Sequence, residues 1–257
     1  MNDLLAQLTQ FTGLGQDWLW TATLVFLRVG SALFLMPAFG EQSVPQRVRL
    51  ILALAFTAIV APAVAPGIAV QGYALPAAVE VAVGLAIGMG LRLFIFALQM
   101  AGTILAQATS LSQLFGGATP EPQPAIGNLL TMASLALAVL SGLHIRAASL
   151  LILSYRILPA GQWPAPGDMA DWGLLQIVHA FALAFSLAAP FVIGSVIYNV
   201  ALGIIGKAMP QLPVSLVGAP ALTAGGLILM AIAVPLILAF WLGGFNAFIA
   251  APFQANP

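Results

Sequence analysis

No cysteine occurs in the 257 residues, so disulfides, thiolate nucleophiles and cysteine-based metal sites are excluded. Charge is scarce as well. Seven lysine and arginine residues balance seven aspartate and glutamate residues, and charged residues make up 5% of the chain, against about 25% in soluble domains. With zero net charge there is no electrostatic basis for holding nucleic acid. His-Glu-x-x-His, Gly-x-Ser-x-Gly and a Walker loop are all absent, and Ser195 has no helper motif near His179. An intramembrane protease or a nucleotide enzyme is therefore not expected, nor is any catalytic residue, cofactor or metal. A basic start and a small-residue cleavage site, the marks of a signal peptide, are missing from the N-terminus. Leu4, Leu8 and Phe11 recur there at helical spacing before Gly13 and Gly15, which reads as a short amphipathic lead-in that the chain keeps.

What fills the chain instead is apolar: 61% of residues are hydrophobic and the mean hydropathy is +1.07. This composition predicts an all-α integral membrane protein with about six hydrophobic segments, forming long, kinked helices and helical hairpins. Trp18 to Phe39 is the first candidate span, with Arg28 near its centre and Pro37 near its end. A mid-bilayer arginine costs about 2.5 to 3.5 kcal/mol, so Arg28 should face protein or water. Residues 40–49 read as a polar connector carrying Arg47 and Arg49. Leu50 to Ala65, broken by Pro62, is short for a span and reads as partial or tilted. Ala74 to Ala108 is too long for one, and holds Glu80, Arg92 and a small-residue face at Gly84 and Gly88. Glu80 and Arg92 are about 18 Å apart along a straight helix, so each needs a partner elsewhere. His144 and His179 are further polar groups inside apolar runs.

Residues 109–124 contain a Gly116-Gly117 pair and Pro120, Pro122 and Pro124, which rule out a continuous helix through them. Leu111, Leu114 and Phe115 are too apolar for a solvated loop, so the tip of this loop should pack into something. Ile126 to Pro159, interrupted around Ser141 to Arg146, is either a helical hairpin or one bent helix. A loop with Trp163, Asp168 and Asp171 follows over Ala160 to Asp171, and Trp163 and Trp172 suit an interfacial belt. Two last apolar segments, 173–206 and 213–248, contain Pro190, Pro220 and Pro235 and should be kinked. Between them, Gly203, Gly206, Lys207, Pro210, Gln211 and Pro213 form a closely specified turn, read as held against a partner. Lysine and arginine concentrate in the loops at Arg47, Arg49 and Lys207, so six spans would put both termini outside the cytoplasm.

Three stretches carry a resemblance. The first runs from Phe26-Leu27-Arg28-Val29 through Met36-Pro37-Ala38-Phe39-Gly40 to Val44-Pro45-Gln46-Arg47-Val48-Arg49. The second is Gly142-Leu143-His144 leading to Leu158-Pro159. The third is Ala201-Leu202-Gly203, then Lys207-Ala208-Met209-Pro210-Gln211-Leu212-Pro213, then Val217-Gly218-Ala219-Pro220. In order and spacing they resemble the FliR family, the R subunit of the flagellar type III export gate, and more distantly its injectisome counterpart. The family usually has a Gly-His pair where this chain has Gly142-Leu143-His144, and an arginine at Lys207.

The resemblance implies a multi-subunit helical ring made with P and Q subunits beside other export-apparatus membrane subunits. Such a ring sits in the bacterial inner membrane at the flagellar basal body and passes unfolded flagellar proteins. It also implies a single membrane-associated domain, P-subunit-like over 1–160 and Q-subunit-like over 172–257. A pore plug would map onto Ser110, Leu111, Leu114, Phe115, Gly116, Gly117 and Pro120. Arg28, Glu80 and Arg92 are expected to be buried charges. The alternatives are an injectisome gate subunit, or a secondary transporter with broken helices that uses Glu80, Arg92 and His179.

Overall fold

Seven α-helices and one short 3₁₀ turn make up the computed structural model, which describes residues 2–68, 72–110, 125–209 and 214–253. The helices are α1 (Asn2–Leu35), α2 (Gln46–Val64), α3 (Ala74–Ser110), α4 (Ala125–Leu140), α5 (Leu143–Ile157), α6 (Pro166–Ala208) and α7 (Val214–Ala250). Among the described residues there is no strand. Among the described residues five helices are long and apolar enough to cross a membrane, and the broken pair α4 and α5 makes a sixth candidate. The all-α membrane class follows from composition because, in lipid, backbone polar groups must be satisfied within the segment that carries them.

Several boundaries depart from the sequence expectations, each for a local reason. Gly13 and Gly15 do not separate a lead-in from the first span, since α1 runs unbroken through both. A helix-interior glycine costs only about 1 kcal/mol, less than a helix end leaves unsatisfied. The span stops at Leu35, before the expected Phe39. Beyond it the chain makes a tight turn in which Gly40 N–H donates to Met36 O at 2.8 Å and Ala38 takes a φ of +69°. A Cβ at Gly40 would fall on the Phe34 carbonyl, so the Met36 to Gly40 motif is a close-packed cap.

The connector is shorter than expected. Pro45 precedes the helix start at Gln46, so Arg47 and Arg49 belong to the first turn of α2. That addition makes α2 a 19-residue helix of about 28 Å, a candidate span, which corrects the reading of a partial one. Arg49 is also spoken for, donating to Glu41 O at 2.7 Å and Val44 O at 3.1 Å. The predicted 109–124 loop begins later, because α3 continues to Ser110. The 126–159 segment is the bent alternative, broken at Gly142, whose φ of +85° glycine adopts without strain. The expected loop to Asp171 ends early because Pro166 opens α6 and Asp168 lies in its first turn.

The chain divides into two compact units. One comprises Met1–Arg92, Val139–Leu175 and Asn246–Pro257, and the other Leu93–Ala138 and Gln176–Phe245. In the first, Arg28, Ser31, Ala32 and Leu35 of α1 meet α3 at glycines. A Cβ at Gly84 would fall on Ser31 Oγ and the Arg28 carbonyl, and one at Gly88 would lie 3.0 Å from Leu35 Cβ. The predicted small-residue face is thus the seam between α1 and α3. In the second unit Trp241, fully buried, stacks on Phe245 at 4.9 Å and donates its indole N–H to Phe94 O at 2.9 Å. Gly102 of α3 and Gly127 of α4 bring two backbones together there.

Candidate functional site

Arg28 and Glu80 are both completely buried. Each lies inside a helix among apolar neighbours, where an unpaired charge would cost several kcal/mol. Their geometry is the fork-to-fork one that a guanidinium and a carboxylate prefer: Nε donates to Oε2 at 2.7 Å and Nη2 to Oε1 at 3.0 Å. Arg28 Nη1 then donates to Leu158 O at 3.0 Å and to Ser154 Oγ at 3.2 Å. Glu80 accepts two more bonds, from Tyr155 OH at 2.8 Å and from the Gly161 N–H at 3.0 Å. The guanidinium lies 3.7 Å from the centre of the Tyr155 ring. One ion pair therefore ties α1, α3, α5 and the segment after α5 into a single knot. Its capacity for hydrogen bonds is nearly filled by protein groups.

The second predicted intramembrane cation is also paired. Arg92 donates to Glu41, in the turn between α1 and α2, and both side chains are about one-fifth exposed. Both pairings are long-range in sequence, which is why residue spacing named the charges and not their partners. Glu41, Ser154, Tyr155 and Gly161 were missed. The signal available for two of them was the polar pair Ser154-Tyr155 inside an apolar run that leads into Leu158-Pro159.

The predicted turn residues are only partly described. Gly203, Gly206 and Lys207 lie in the last turns of α6, and Pro210, Gln211 and Pro213 fall outside the described residues. Lys207 is exposed, and a Cβ at Gly203 or Gly206 would meet nothing within 4 Å. The two arms near the turn are joined by Tyr198 OH, which donates to Gly218 O at 2.9 Å, and by Leu202 packed on Gly218. Of the predicted plug residues only Ser110 is described, as the last residue of α3, while Leu111, Leu114, Phe115, Gly116, Gly117 and Pro120 lie outside the described residues. Ser195 donates to Val192 O, and His179 lies about 24 Å away along α6, so the two form no dyad. Among the described residues, no three histidine or carboxylate side chains gather as metal ligands would.

The Arg28–Glu80 pair joins α1 to α3, two helices that are apolar and long enough to cross a membrane. The class is a polytopic helical membrane protein. A family model described as bacterial export proteins, family 1, matches residues 19–248. The flagellar biosynthetic protein FliR of Caulobacter vibrioides is 32% identical over 229 residues, covering 86% of this chain and 91% of that protein. FliR of Escherichia coli is 30% identical over 237 residues, covering 88% and 89%, and FliR of Bacillus subtilis is 28% identical over 226, covering 83% and 86%. The chain belongs to the FliR family, and is a subunit of the flagellar type III export apparatus.

Proposed function

We propose that this chain is a structural, pore-forming subunit of the flagellar protein export gate. It assembles with P and Q subunits and other export-apparatus membrane subunits in the bacterial inner membrane, at the flagellar basal body. Unfolded flagellar proteins pass through the assembly. The subunit performs no catalysis of its own, and residues 1–160 and 172–257 act as its P-like and Q-like parts.

The observation that carries this reading is the surface of α6 and α7. At 43 and 37 residues these helices are about 65 and 55 Å long, roughly twice the thickness of a hydrocarbon core. Phe185, Ile193, Ile197 and Ile204 on α6, and Ile228, Ile232, Leu236 and Phe240 on α7, are all exposed. A bilayer alone leaves much of that apolar length uncovered, whereas neighbouring subunits with the same needs can cover it. A secondary transporter would need free ionisable groups near mid-span. Of its three candidates Glu80 and Arg92 are instead committed to Arg28 and Glu41, which leaves His179 alone.

The test is replacement of the resident R gene of a motile bacterium by this chain together with its cognate P and Q genes. Secretion of hook and filament proteins is the expected result. Membrane accumulation of all three subunits without any secretion contradicts the proposal.

A further inference from the structure

A cleft of about 410 Å³ lies where α5 ends and α6 begins. Its lining includes Trp163, Trp172, Phe253, Met169, Gln162 and Asp168. Trp163 is more than half exposed, at 58%. Trp172 is held in place, since its indole N–H donates to Pro252 O at 2.7 Å and its ring packs at 5.7 Å against Phe253. Asp168 is the acidic residue in the first turn of α6. Its carboxylate makes no ion pair among the described residues.

Aromatic walls with one carboxylate and no cation among the lining residues make a receptor for a positive group on an apolar stem. A phospholipid headgroup fits this lining poorly. Its phosphate would find no lysine, arginine or histidine side chain in the lining to pair with. We infer that the cleft takes a lysine or arginine side chain from a neighbouring polypeptide of the export assembly, with the stem against Trp163 and Trp172 and the cationic end at Asp168. The inference rests on the proposed role among partner subunits, and it adds a docking point that the apolar helix faces do not supply. A point contact of this kind fixes register between subunits, which greasy surfaces alone leave loose.

The test uses the whole assembly in its native membrane. A photoreactive benzoyl-phenylalanine replaces Gln162, on the rim of the cleft, and the adduct is mapped by mass spectrometry. The expected adduct is on a partner polypeptide beside a lysine or arginine. Asp168→Lys should lower its yield by about fivefold or more through like-charge repulsion, and a glutamate at the mapped basic position should restore it. The same probe at exposed Tyr73, whose adduct yield should not change with Asp168→Lys, reports that the subunit is still folded and inserted. An adduct on lipid alone, on a segment without a basic residue, or of a yield that Asp168→Lys does not alter overturns the inference, as does no adduct. Secretion is measured in parallel. An overturned docking point with secretion intact leaves the export role standing, whereas absent secretion with the adduct present removes that role and keeps the cleft.

Discussion

The backbone N–H of Gly161 donates to Glu80 Oε1 at 3.0 Å, so the carboxylate that neutralises Arg28 also holds the segment joining α5 to α6. The same oxygens set the entry of that segment and the packing of α1 against α3. Disturbing Glu80 therefore loosens three helices and a loop together.

Arg28→Ala leaves Glu80 buried without its counter-charge and should destabilise the protein by about 3 to 5 kcal/mol. Arg28→Met combined with Glu80→Met removes both charges and should recover more than half of that loss. Thermal unfolding of the protein in detergent, with a double-mutant cycle, measures the coupling. Additive effects of the two substitutions would contradict the knot as described.

Tyr155→Phe isolates one bond of the network. The ring that lies over the Arg28 guanidinium is kept and only the donor to Glu80 is lost. The expected cost is about 1.5 to 3 kcal/mol, as for a hydrogen bond to a charged acceptor, well below that of Arg28→Ala. The same unfolding measurement checks the order of the two.

Gly84→Ala and Gly30→Ala form a matched pair. A methyl group at Gly84 would strike Ser31 Oγ and the Arg28 carbonyl, whereas at Gly30 it would meet nothing within 4 Å. Gly84→Ala should therefore force α1 and α3 apart, cost about 1 to 3 kcal/mol and lower the amount of protein in the membrane. Gly30→Ala should be neutral, or stabilising by up to about 1 kcal/mol through helix propensity. Quantitative immunoblotting of membrane fractions checks both.

Deleting Leu111 to Gly117 tests the plug that the family resemblance implies. Small-ion leakage through the assembled gate should rise, measured as dye or proton flux in cells that express the whole assembly. Unchanged leakage removes the plug assignment.

How much of this was legible in the sequence depended on the reach of the interaction. The need for partners at Arg28, Glu80 and Arg92 was visible because a charge in an apolar run is expensive. Which partners they take was not, since Arg28 reaches Glu80 across 52 residues and Arg92 reaches Glu41 across 51. The glycine seam at Gly84 and Gly88 was legible from its four-residue spacing. The start of α6 carries a signal of its own. Pro166 followed by Asp168 is a helix N-terminus by both backbone constraint and dipole, yet the nearby prolines and glycines read as loop. Gly203 and Gly206 misled in the opposite sense, because α6 tolerates both to its end at Ala208. The break at Gly142 was visible as an interruption, but hairpin and bend have the same sequence signature.

The most direct measurement is the mass of the particle in which this chain leaves the membrane. The chain, co-expressed with its P and Q subunits, is extracted in mild detergent and examined by native mass spectrometry. The expected result is a stable assembly containing all three proteins, and aggregation or degradation when this chain is expressed alone. A monodisperse, folded monomer that does not recruit P or Q would contradict it.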